Sequence, residues 1–258
     1  MLYIVSNNNN QCKNATTMKI KSKYSPNFNK KNGKKRAIKF IILHYTGMQS
    51  ERESIQRLCD SKSKVSCHYL INRKGNILKL VEDKNIAWHA GKSFWSDYKN
   101  LNKNSIGIEL VNKGHEFGYE NFSKKQIFKL IKLCKVLTKK HKIKKRYILG
   151  HSDIAPLRKN DPGEKFPWEY LAKNNLGIWH NKKPHFLKKL RKLKVLKKQD
   201  GPKFIKNLNK IGYPIRKRDK KLIFECIKAF QRHYRKDLID GLIDQECLII
   251  SNNLIKNL

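Results

Sequence analysis

The spacing of apolar residues predicts strands that alternate with helices over the chain up to Trp168. The predicted strands are residues 37–45, 67–72, 76–81, 105–111 and 147–149. The first and fourth (AIKFIILHY and SIGIELV) are nearly continuous apolar runs, which are typical of strands buried on both faces. The second and third flank Gly75, and this arrangement predicts a hairpin.

Helical spacing separates the predicted strands. Residues 51–60 can form a short helix, and Ser123 is placed to cap a longer one. After Ser123, apolar residues recur at helical spacing with lysines on the other face. These apolar positions are Ile127, Leu130, Ile131, Cys134 and Leu137. Because strands and helices interleave, the predicted fold class is α/β.

The composition changes on both sides of this region. Residues 1–30 are polar and rich in Asn and Lys, so we expect a flexible lead-in, with order beginning near Ala37. Residues 176–200 are dominated by Lys and predict a basic linker. Within the linker, 180–198 could form an amphipathic helix on an anionic surface or a solvated helical connection, and we favour the second.

A small helical domain is predicted over residues 201–258. Its first helix ends at Gly212, and its second carries apolar side chains on one face. A turn at Asp240 and Gly241 precedes the third helix, which begins near Asp244. Three short helices of this kind make a compact domain with a modest core.

The charge of the chain is extreme, because 59 Lys plus Arg against 20 Asp plus Glu give a formal net charge of +39. This charge favours anionic partners such as nucleic acid, membrane surfaces or wall polymers. An AT-rich coding sequence would produce the same excess of Lys, Asn and Ile, so the charge assigns no function by itself. The six cysteines lack metal-site or redox-motif spacing, and neither a disulfide framework nor a membrane span is expected.

Two histidines and an aspartate form a candidate metal site. His44 stands where a predicted buried strand meets the next loop, and His151 ends another strand. One Pro lies between His151 and Asp161, and a Pro-Gly pair follows Asp161. These residues exclude one continuous helix, so the loop can bring the Asp161 carboxylate beside the His151 imidazole. Two imidazoles and one carboxylate suit Zn²⁺ and leave a fourth position for water, which is the catalytic arrangement.

Two further charged residues are candidates for catalysis. Glu109 lies inside an apolar run, where a carboxylate is costly unless it is paired or functional, and beside a metal it could act as a general base. An ion pair with one of the many lysines is the alternative. Lys159 precedes Asp161 by two residues, where its ammonium could stabilise an oxyanion, although basic residues are common at every position of this chain.

Five segments resemble, in order and spacing, the zinc-dependent N-acetylmuramoyl-L-alanine amidases. The segments are FIILHYTG, VSCHYLINRKGNI, AWHAGKSFW, NSIGIELVNKG and LGHSDIAPLRKNDPGEKFPW. They span Ala37 to Trp168, and they are most similar to the branch that cleaves anhydromuramyl-peptides and its envelope-bound relatives. The resemblance implies a catalytic domain over residues 31–175, with a mixed central sheet flanked by helices and zinc in a groove.

The resemblance also implies roles for individual residues. His44, His151 and Asp161 match the zinc ligands of the family. Glu109 matches its catalytic carboxylate, and Lys159 matches the lysine that stabilises the transition state. An Asp as third ligand, where other branches have Cys, separates the chain from the phage-type and animal recognition-protein branches.

Four more residues match regions near the implied groove and are candidate substrate contacts: His68, Trp88, His89 and Ala90. A structural histidine is an equal alternative at the two histidine positions. Residues 201–258 resemble the three-helix peptidoglycan-binding domain that is often appended to wall hydrolases, through their Ala-Phe-Gln-Arg element and Asp-Gly turn. Such a domain would hold the enzyme on the wall, whereas a generic helical cap is the alternative.

The resemblance implies hydrolysis of the amide between N-acetylmuramic acid, in the ordinary or the 1,6-anhydro form, and the L-Ala of the stem peptide. The expected cofactor is Zn²⁺, the expected partners are peptidoglycan or muropeptides, and we expect a monomer. A non-catalytic peptidoglycan receptor on the same fold is the alternative, but retention of three ligands and Glu109 argues against it. A nucleic-acid partner would exploit the charge, yet no nucleic-acid-binding motif is present.

Two observations point to different cellular locations. No standard signal peptide is evident at the N-terminus, which favours the cytoplasm. A wall-binding domain favours the periplasm or the cell envelope, and this is the location that we expect.

Overall fold

The computed structural model describes residues 2–3, 18–30, 36–216 and 219–258. The strands are β1 (Leu2–Tyr3), β2 (Met18–Ser22), β3 (Phe28–Asn29), β4 (Phe40–Tyr45), β5 (Tyr69–Ile71), β6 (Ile77–Lys79), β7 (Ile86–Ala87), β8 (Phe94–Trp95), β9 (Tyr98–Lys99), β10 (Ser105–Leu110) and β11 (Ile148–Gly150). The α-helices are α1 (Glu51–Cys59), α2 (Lys124–His141), α3 (His151–Ile154), α4 (Trp168–Lys173), α5 (Pro184–Leu190), α6 (Asp200–Ile211), α7 (Lys220–Tyr234) and α8 (Gln245–Lys256). Single 3-10 turns cover Ser61–Ser63, Leu101–Asn104 and Lys145–Tyr147. The element order confirms the predicted α/β class.

A mixed sheet forms the centre of the first of two compact units, which comprises Met1–His89 and Asn102–Tyr147. Within this unit the strands run in the order β1, β2, β6, β5, β10, β4. The neighbours of β10, which are β4 and β5, are both parallel to it, and β2 is parallel to β6. The β5–β6 and β1–β2 pairs are antiparallel. The sheet is therefore mostly parallel.

The two predicted buried strands form the core of this sheet. Ile41, Ile42 and Leu43 on β4 are fully buried, as are Ile106 and Ile108 on β10. Strands covered on both faces have no polar face, and this explains the continuous apolar runs in the sequence.

Helix α2 packs against β5 and begins as the sequence predicts. The Ser123 side chain caps it by accepting a hydrogen bond from the amide of Gln126 at 3.1 Å. All of the apolar positions predicted for this helix are buried. The helix ends at His141, and the C-cap residue Lys142 adopts a left-handed conformation with φ of 54°.

The predicted hairpin is also confirmed. Asn72 Oδ1 accepts hydrogen bonds from the amides of Lys74 at 3.0 Å and Asn76 at 2.8 Å, and this closes the turn between β5 and β6. Gly75 has a φ of 84°, and a Cβ there would lie 3.0 Å from the carbonyl oxygen of Lys125. A larger residue would therefore be strained at this position.

The predicted lead-in over residues 1–30 requires a correction. Order begins earlier than Ala37, because β2 pairs with β6 and the Met18 and Ile20 side chains are buried. The Asn- and Lys-rich composition obscured a short strand in which only alternate residues are apolar. Residues 1 and 4–17, on which the rest of this prediction falls, lie outside the described residues.

The second compact unit comprises Ala90–Leu101 and Ile148–Leu258. Its first segment carries the β8–β9 hairpin, and its second begins with β11 and α3. The three predicted C-terminal helices are present as α6, α7 and α8. Their core contains fully buried aromatic and aliphatic side chains: Phe204, Leu208, Phe230, Ile250 and Leu254.

Two predictions about this part of the chain need comment. Of residues 180–198, where the linker helix was predicted, only Pro184–Leu190 is α-helical, because Arg191 and Lys192 leave helical geometry and Lys194 pairs with Asp244. The compact units also differ from the predicted boundaries at 175 and 200, since one unit joins Ala90–Leu101 to everything from Ile148 onward. A separate domain over 201–258 stays a prediction. In the described ranges, no helix has the length and apolar character needed to cross a membrane.

Candidate metal centre

The three predicted metal ligands come together. One ligand atom each from His44, His151 and Asp161 lie within 4.8 Å of one another, and all three side chains are buried. A carboxylate and two imidazoles at this separation can bind one ion, because ligand–zinc distances of about 2 Å place ligand atoms about 3–4 Å apart. Their predicted role as metal ligands stays a prediction.

Backbone pairing sets the positions of His44 and Glu109. The two residues stand directly opposite each other on the parallel strands β4 and β10. Side chains at paired positions of adjacent strands project from the same face of a sheet. The Glu109 carboxylate is therefore carried on the same face as the His44 imidazole, one strand away.

A second histidine contacts His44. His44 Nε2 lies 3.1 Å from His89 Nδ1, and His89 Nε2 lies 3.1 Å from Ser105 Oγ. The His89 ring occupies space that a Cβ on Gly107 would fill, at 2.4 Å from the ring carbon Cγ. With Nε2 of His44 engaged by His89, Nδ1 is the nitrogen suited to bind a metal.

Within the second unit, a compact turn presents His151 and Asp161. The amide of Ser152 donates to the carbonyl oxygen of Asp161 at 2.8 Å, which closes the loop as the sequence predicts. His151 Nδ1 then lies 3.1 Å from Asp161 Oδ2. His151 Nε2 lies 3.2 Å from the carbonyl oxygen of Ala90. A carbonyl oxygen only accepts, so Nε2 donates to it, and this contact turns Nδ1 toward the Asp161 carboxylate.

Ala90 therefore has a role that the sequence did not indicate. Its carbonyl oxygen accepts a hydrogen bond from Arg158 Nη2 at 2.6 Å in addition to the contact with His151. Arg158 also donates to the carbonyl oxygen of Lys92 at 2.8 Å, so it holds the Ala90–Lys92 turn. The Ala90 side chain is fully buried. Its predicted role as a substrate contact stays a prediction.

Lys159 occupies the same turn as Asp161. Its amide donates to the carbonyl oxygen of Ala155 at 3.1 Å, and the residue is partly buried. This fixes the backbone from which the side chain projects. Its predicted contact with a reacting oxyanion stays a prediction.

His68 has a structural environment. Its side chain is fully buried, Nδ1 accepts from the amide of Gly107 at 3.0 Å, and Nε2 lies 3.3 Å from the carbonyl oxygen of Asn85. Burial and the neighbouring Arg36 guanidinium lower the pKa of His68 to about 3. Both ring nitrogens therefore have protein contacts. The predicted role of His68 as a substrate contact stays a prediction.

Trp88 is partly buried, and its indole Nε1 donates to Asn29 Oδ1 at 2.6 Å. Its backbone amide donates to Ser66 Oγ at 2.8 Å. Both contacts lie within the first unit. The predicted substrate contact of Trp88 stays a prediction.

The donor set fits zinc. Both imidazoles have a protein partner at Nε2, and such partners fix the tautomer and ring orientation of zinc-binding histidines. Two nitrogens and one carboxylate oxygen form a set found in catalytic zinc sites. Hard cations such as Ca²⁺ prefer oxygen ligands, so they fit this set less well.

Sequence reasoning missed three residues around this centre: Arg158, Tyr213 and His233. Arg158 stands beside Lys159, but one more basic residue carries little information in so basic a chain. Tyr213 and His233 contact Asp153, which lies two residues after His151 but 60 and 80 residues away from them in sequence. The signal in the sequence is the acidic residue Asp153 within the motif GHSDIAP. A carboxylate that becomes buried needs hydrogen-bond partners, and these can be distant in sequence.

Comparison with known proteins gives a family match. Residues 34–164 match the family model described as N-acetylmuramoyl-L-alanine amidase. Over 236 residues the chain is 34% identical to N-acetylmuramoyl-L-alanine amidase AmiD of Escherichia coli K12, covering 85% of this chain and 83% of AmiD. It is 35% identical over 167 residues to 1,6-anhydro-N-acetylmuramyl-L-alanine amidase AmpD of Haemophilus influenzae, covering 57% of this chain and 88% of AmpD.

The fold is also similar to a solved structure. E. coli AmiD in complex with the substrate anhydro-N-acetylmuramic acid-L-Ala-D-gamma-Glu-L-Lys superposes with a TM-score of 0.76 and 31% sequence identity. The superposition covers 88% of this chain and 92% of that chain. The similarity therefore extends beyond the residues of the family match into the C-terminal helices.

Proposed function

The chain belongs to the N-acetylmuramoyl-L-alanine amidase family, and we propose that it hydrolyses the amide between N-acetylmuramic acid and the L-Ala of peptidoglycan stem peptides. The observation that carries this proposal is the buried group of His44, His151 and Asp161. A receptor that only binds its ligand has no need of such a set. Hydrolysis of an unactivated amide can use it, because a metal ion held there would activate water and polarise the carbonyl.

We propose that these three residues hold Zn²⁺. When bound, zinc would act as a Lewis acid on the scissile carbonyl and would lower the pKa of water toward about 7. The protein contributes two oriented imidazoles, because His89 and the Ala90 carbonyl hold the Nε2 atoms. It also contributes the Asp161 carboxylate, a negatively charged oxygen ligand for the cation.

Glu109 is proposed as the general base. Its position opposite His44 on the neighbouring strand supports this role, because a base must lie within hydrogen-bond reach of the water that it deprotonates. The carboxylate would take a proton from the attacking water and then deliver it to the departing amine of L-Ala. One residue would thus serve both steps of the hydrolysis.

Lys159 is proposed to stabilise the oxyanion. As the scissile carbonyl becomes tetrahedral, its oxygen gains negative charge, which an ammonium group can offset. The turn that fixes Asp161 also fixes the Lys159 backbone, so both residues are presented by one short segment.

The substrate is proposed to be a muropeptide that carries the 1,6-anhydro sugar. The substrate in the AmiD complex has this sugar, and the related AmpD bears it in its name. The ordinary sugar and intact wall are alternatives for the same site. We also propose that the protein acts as a monomer in the cell envelope, with residues 201–258 contributing to wall binding.

The direct experiment offers the purified zinc-loaded protein three substrates: an anhydromuropeptide, the corresponding reduced muropeptide and purified sacculi. Mass analysis should show free stem peptide with an N-terminal L-Ala and a sugar that has gained the hydroxyl of water. Cleavage within the glycan or within the peptide would refute the proposed bond. Intact substrates with a zinc-saturated protein would refute the proposed activity.

Two substitutions test the assigned roles. Asp161→Asn replaces a carboxylate by a poor ligand, so zinc affinity should fall and excess zinc should partly restore turnover. Lys159→Met should keep the metal and lose turnover, because the oxyanion loses its cation at similar side-chain volume. Zinc loss in Lys159→Met would contradict the assigned roles.

A further inference from the structure

A buried carboxylate stands next to the ligand His151. Asp153 lies in the four-residue helix α3, and its side chain is fully buried. Its Oδ2 accepts from the amide of Gly150 at 2.8 Å and from His233 Nδ1 at 2.8 Å. Its Oδ1 accepts from the hydroxyl of Tyr213 at 2.8 Å. Buried carboxylates are costly unless donors surround them, and two of these three donors come from the C-terminal helical region.

The Tyr213 donor is itself rigidly placed. It follows Gly212, whose φ of 135° is a conformation that favours glycine. The Trp95 ring packs closely against Gly212, since a Cβ on Gly212 would lie 2.3 Å from a carbon of that ring. The amide of Ser96 donates to the Gly212 carbonyl oxygen at 2.7 Å. The Tyr213 and Trp95 rings pack edge to face with centroids 4.9 Å apart.

The His233 donor is equally constrained. It lies on α7, and its ring stacks on Trp168 with centroids 3.8 Å apart and an interplanar angle of 15°. Its side chain is 4% exposed. Neither donor can turn away from Asp153 without disrupting a packed aromatic pair.

Helix α3 needs such support, because a single turn is not stable by itself. The direction of the His151 ring depends on the backbone of residues 150–153. The Asp153 side chain links the two ends of that segment, because it accepts a hydrogen bond from the Gly150 amide. Tyr213 and His233 in turn hold the Asp153 side chain in place.

We propose that Tyr213 and His233 are positioning residues for the metal ligand His151, acting through Asp153. The C-terminal helices then form part of the machinery that shapes the metal centre, beyond any role in wall binding. This inference rests on the proposed zinc site of His44, His151 and Asp161.

The test is Tyr213→Phe in the full-length protein, which removes one hydroxyl and keeps the ring against Trp95. The matched control is Tyr69→Phe, because Tyr69 is also fully buried and donates to a buried carboxylate, Asp83, at 2.6 Å, within the first compact unit. Both variants lose the same kind of hydrogen bond. Only the first loses one that reaches the His151 segment.

Three readouts separate positioning from stability. In the zinc-free protein, hydrogen exchange at the amides of residues 150–155 should accelerate in Tyr213→Phe and stay unchanged in Tyr69→Phe. Zinc affinity, measured by competition with a chromogenic chelator, should weaken on the order of tenfold in Tyr213→Phe alone. The visible spectrum of the Co²⁺-substituted protein should change in the same variant, since it reports ligand geometry.

His233→Phe keeps a ring on Trp168 and removes the second donor, so it should reproduce all three effects. The inference would be overturned if Tyr213→Phe and His233→Phe lowered the thermal midpoint but left hydrogen exchange, zinc affinity and the cobalt spectrum unchanged. The contacts with Asp153 would then be purely structural. If the wild-type protein binds zinc but leaves muropeptides intact, the proposed function fails while these readouts still decide the positioning role. If it binds no zinc, the exchange measurement decides alone.

Discussion

The candidate site combines residues that are held in two different ways. His44 and Glu109 lie on the paired strands β4 and β10, where ladder hydrogen bonds and a buried core fix both backbones. His151 and Asp161 lie on a turn with one short helix, where a single backbone hydrogen bond between Ser152 and Asp161 is supplemented by side-chain contacts. The strand-borne pair needs few special residues, whereas the turn-borne pair depends on partners distant in sequence. Substitutions and metal removal should therefore affect the second pair more than the first.

Zinc removal should have the largest effect. A chelator should abolish turnover, and added zinc should restore it, because the proposed reaction needs the metal for both attack and charge stabilisation. Hydrogen exchange should rise at residues 150–161 much more than in β4 and β10, whose ladder bonds need no ion. Turnover by the metal-free protein, or an equal rise in both regions, would contradict the account.

Gly212→Ala should destabilise the turn-borne region strongly. The new Cβ would lie 2.3 Å from the Trp95 ring at a φ of 135°, so both packing and backbone are strained. We expect a loss of about 2 kcal/mol or more in the free energy of unfolding, measured by urea denaturation, together with weaker zinc binding.

Gly177→Ala is the matched control for this substitution. Gly177 also has a positive φ, of 93°, but no atom lies within 4 Å of the position of its Cβ. It should lose only about 1 kcal/mol and keep wild-type zinc affinity. Equal losses in the two variants would show that the contact with Trp95 contributes nothing.

His89→Ala should perturb the strand-borne ligand. His89 Nδ1 lies 3.1 Å from His44 Nε2, so its removal leaves the imidazole without one orienting partner. Zinc affinity should fall on the order of tenfold, which is about 1.4 kcal/mol. His89→Asn should recover part of the loss, because its amide can occupy the position of Nδ1. Unchanged affinity in His89→Ala would show that the β4 ladder alone orients His44.

The smallest effect concerns the pH dependence of stability. The pKa of His68 is about 3 in the folded protein against an ordinary 6.5, because of burial and Arg36. Between these values the unfolded state binds a proton that the folded state does not, so stability falls as pH is lowered. From pH 6 to pH 5 His68 should contribute a loss of about 1 kcal/mol.

Urea denaturation at the two pH values measures this contribution. His68→Asn should weaken the pH dependence, since Asn cannot titrate but can accept from the Gly107 amide. His185→Asn, at an exposed histidine, is the control substitution. An unchanged slope in His68→Asn would mean that the His68 ring is protonated in the folded protein.

The elements that the sequence predicted are those with local causes. The apolar runs of β4 and β10 reflect burial on both faces, and Ser123 caps α2 through a contact three residues away. The grouping of His151 with Asp161 was predictable because the prolines between and after them exclude one continuous helix and leave a loop that is able to fold back.

The elements that the sequence did not predict depend on distant partners. Strand β2 was hidden in an Asn- and Lys-rich segment, and its burial follows from pairing with β6, more than fifty residues later. Asp153 is 60 residues from Tyr213 and 80 from His233, and no periodicity links residues so far apart. The same limit explains why the sequence leaves a substrate contact and a structural histidine equally open for His68, since its burial and its contacts with Gly107 and Asn85 appear only in the fold.

The central claim is that Glu109 performs chemistry beside a metal that His44, His151 and Asp161 hold. Glu109→Gln keeps the shape of the side chain and removes the base, so zinc content and turnover should be measured on the same preparation. We expect one zinc per chain, as in the wild type, and turnover reduced on the order of 100-fold or more. Loss of zinc would make Glu109 a ligand, and near-normal turnover would make it a structural carboxylate; either result would contradict the account.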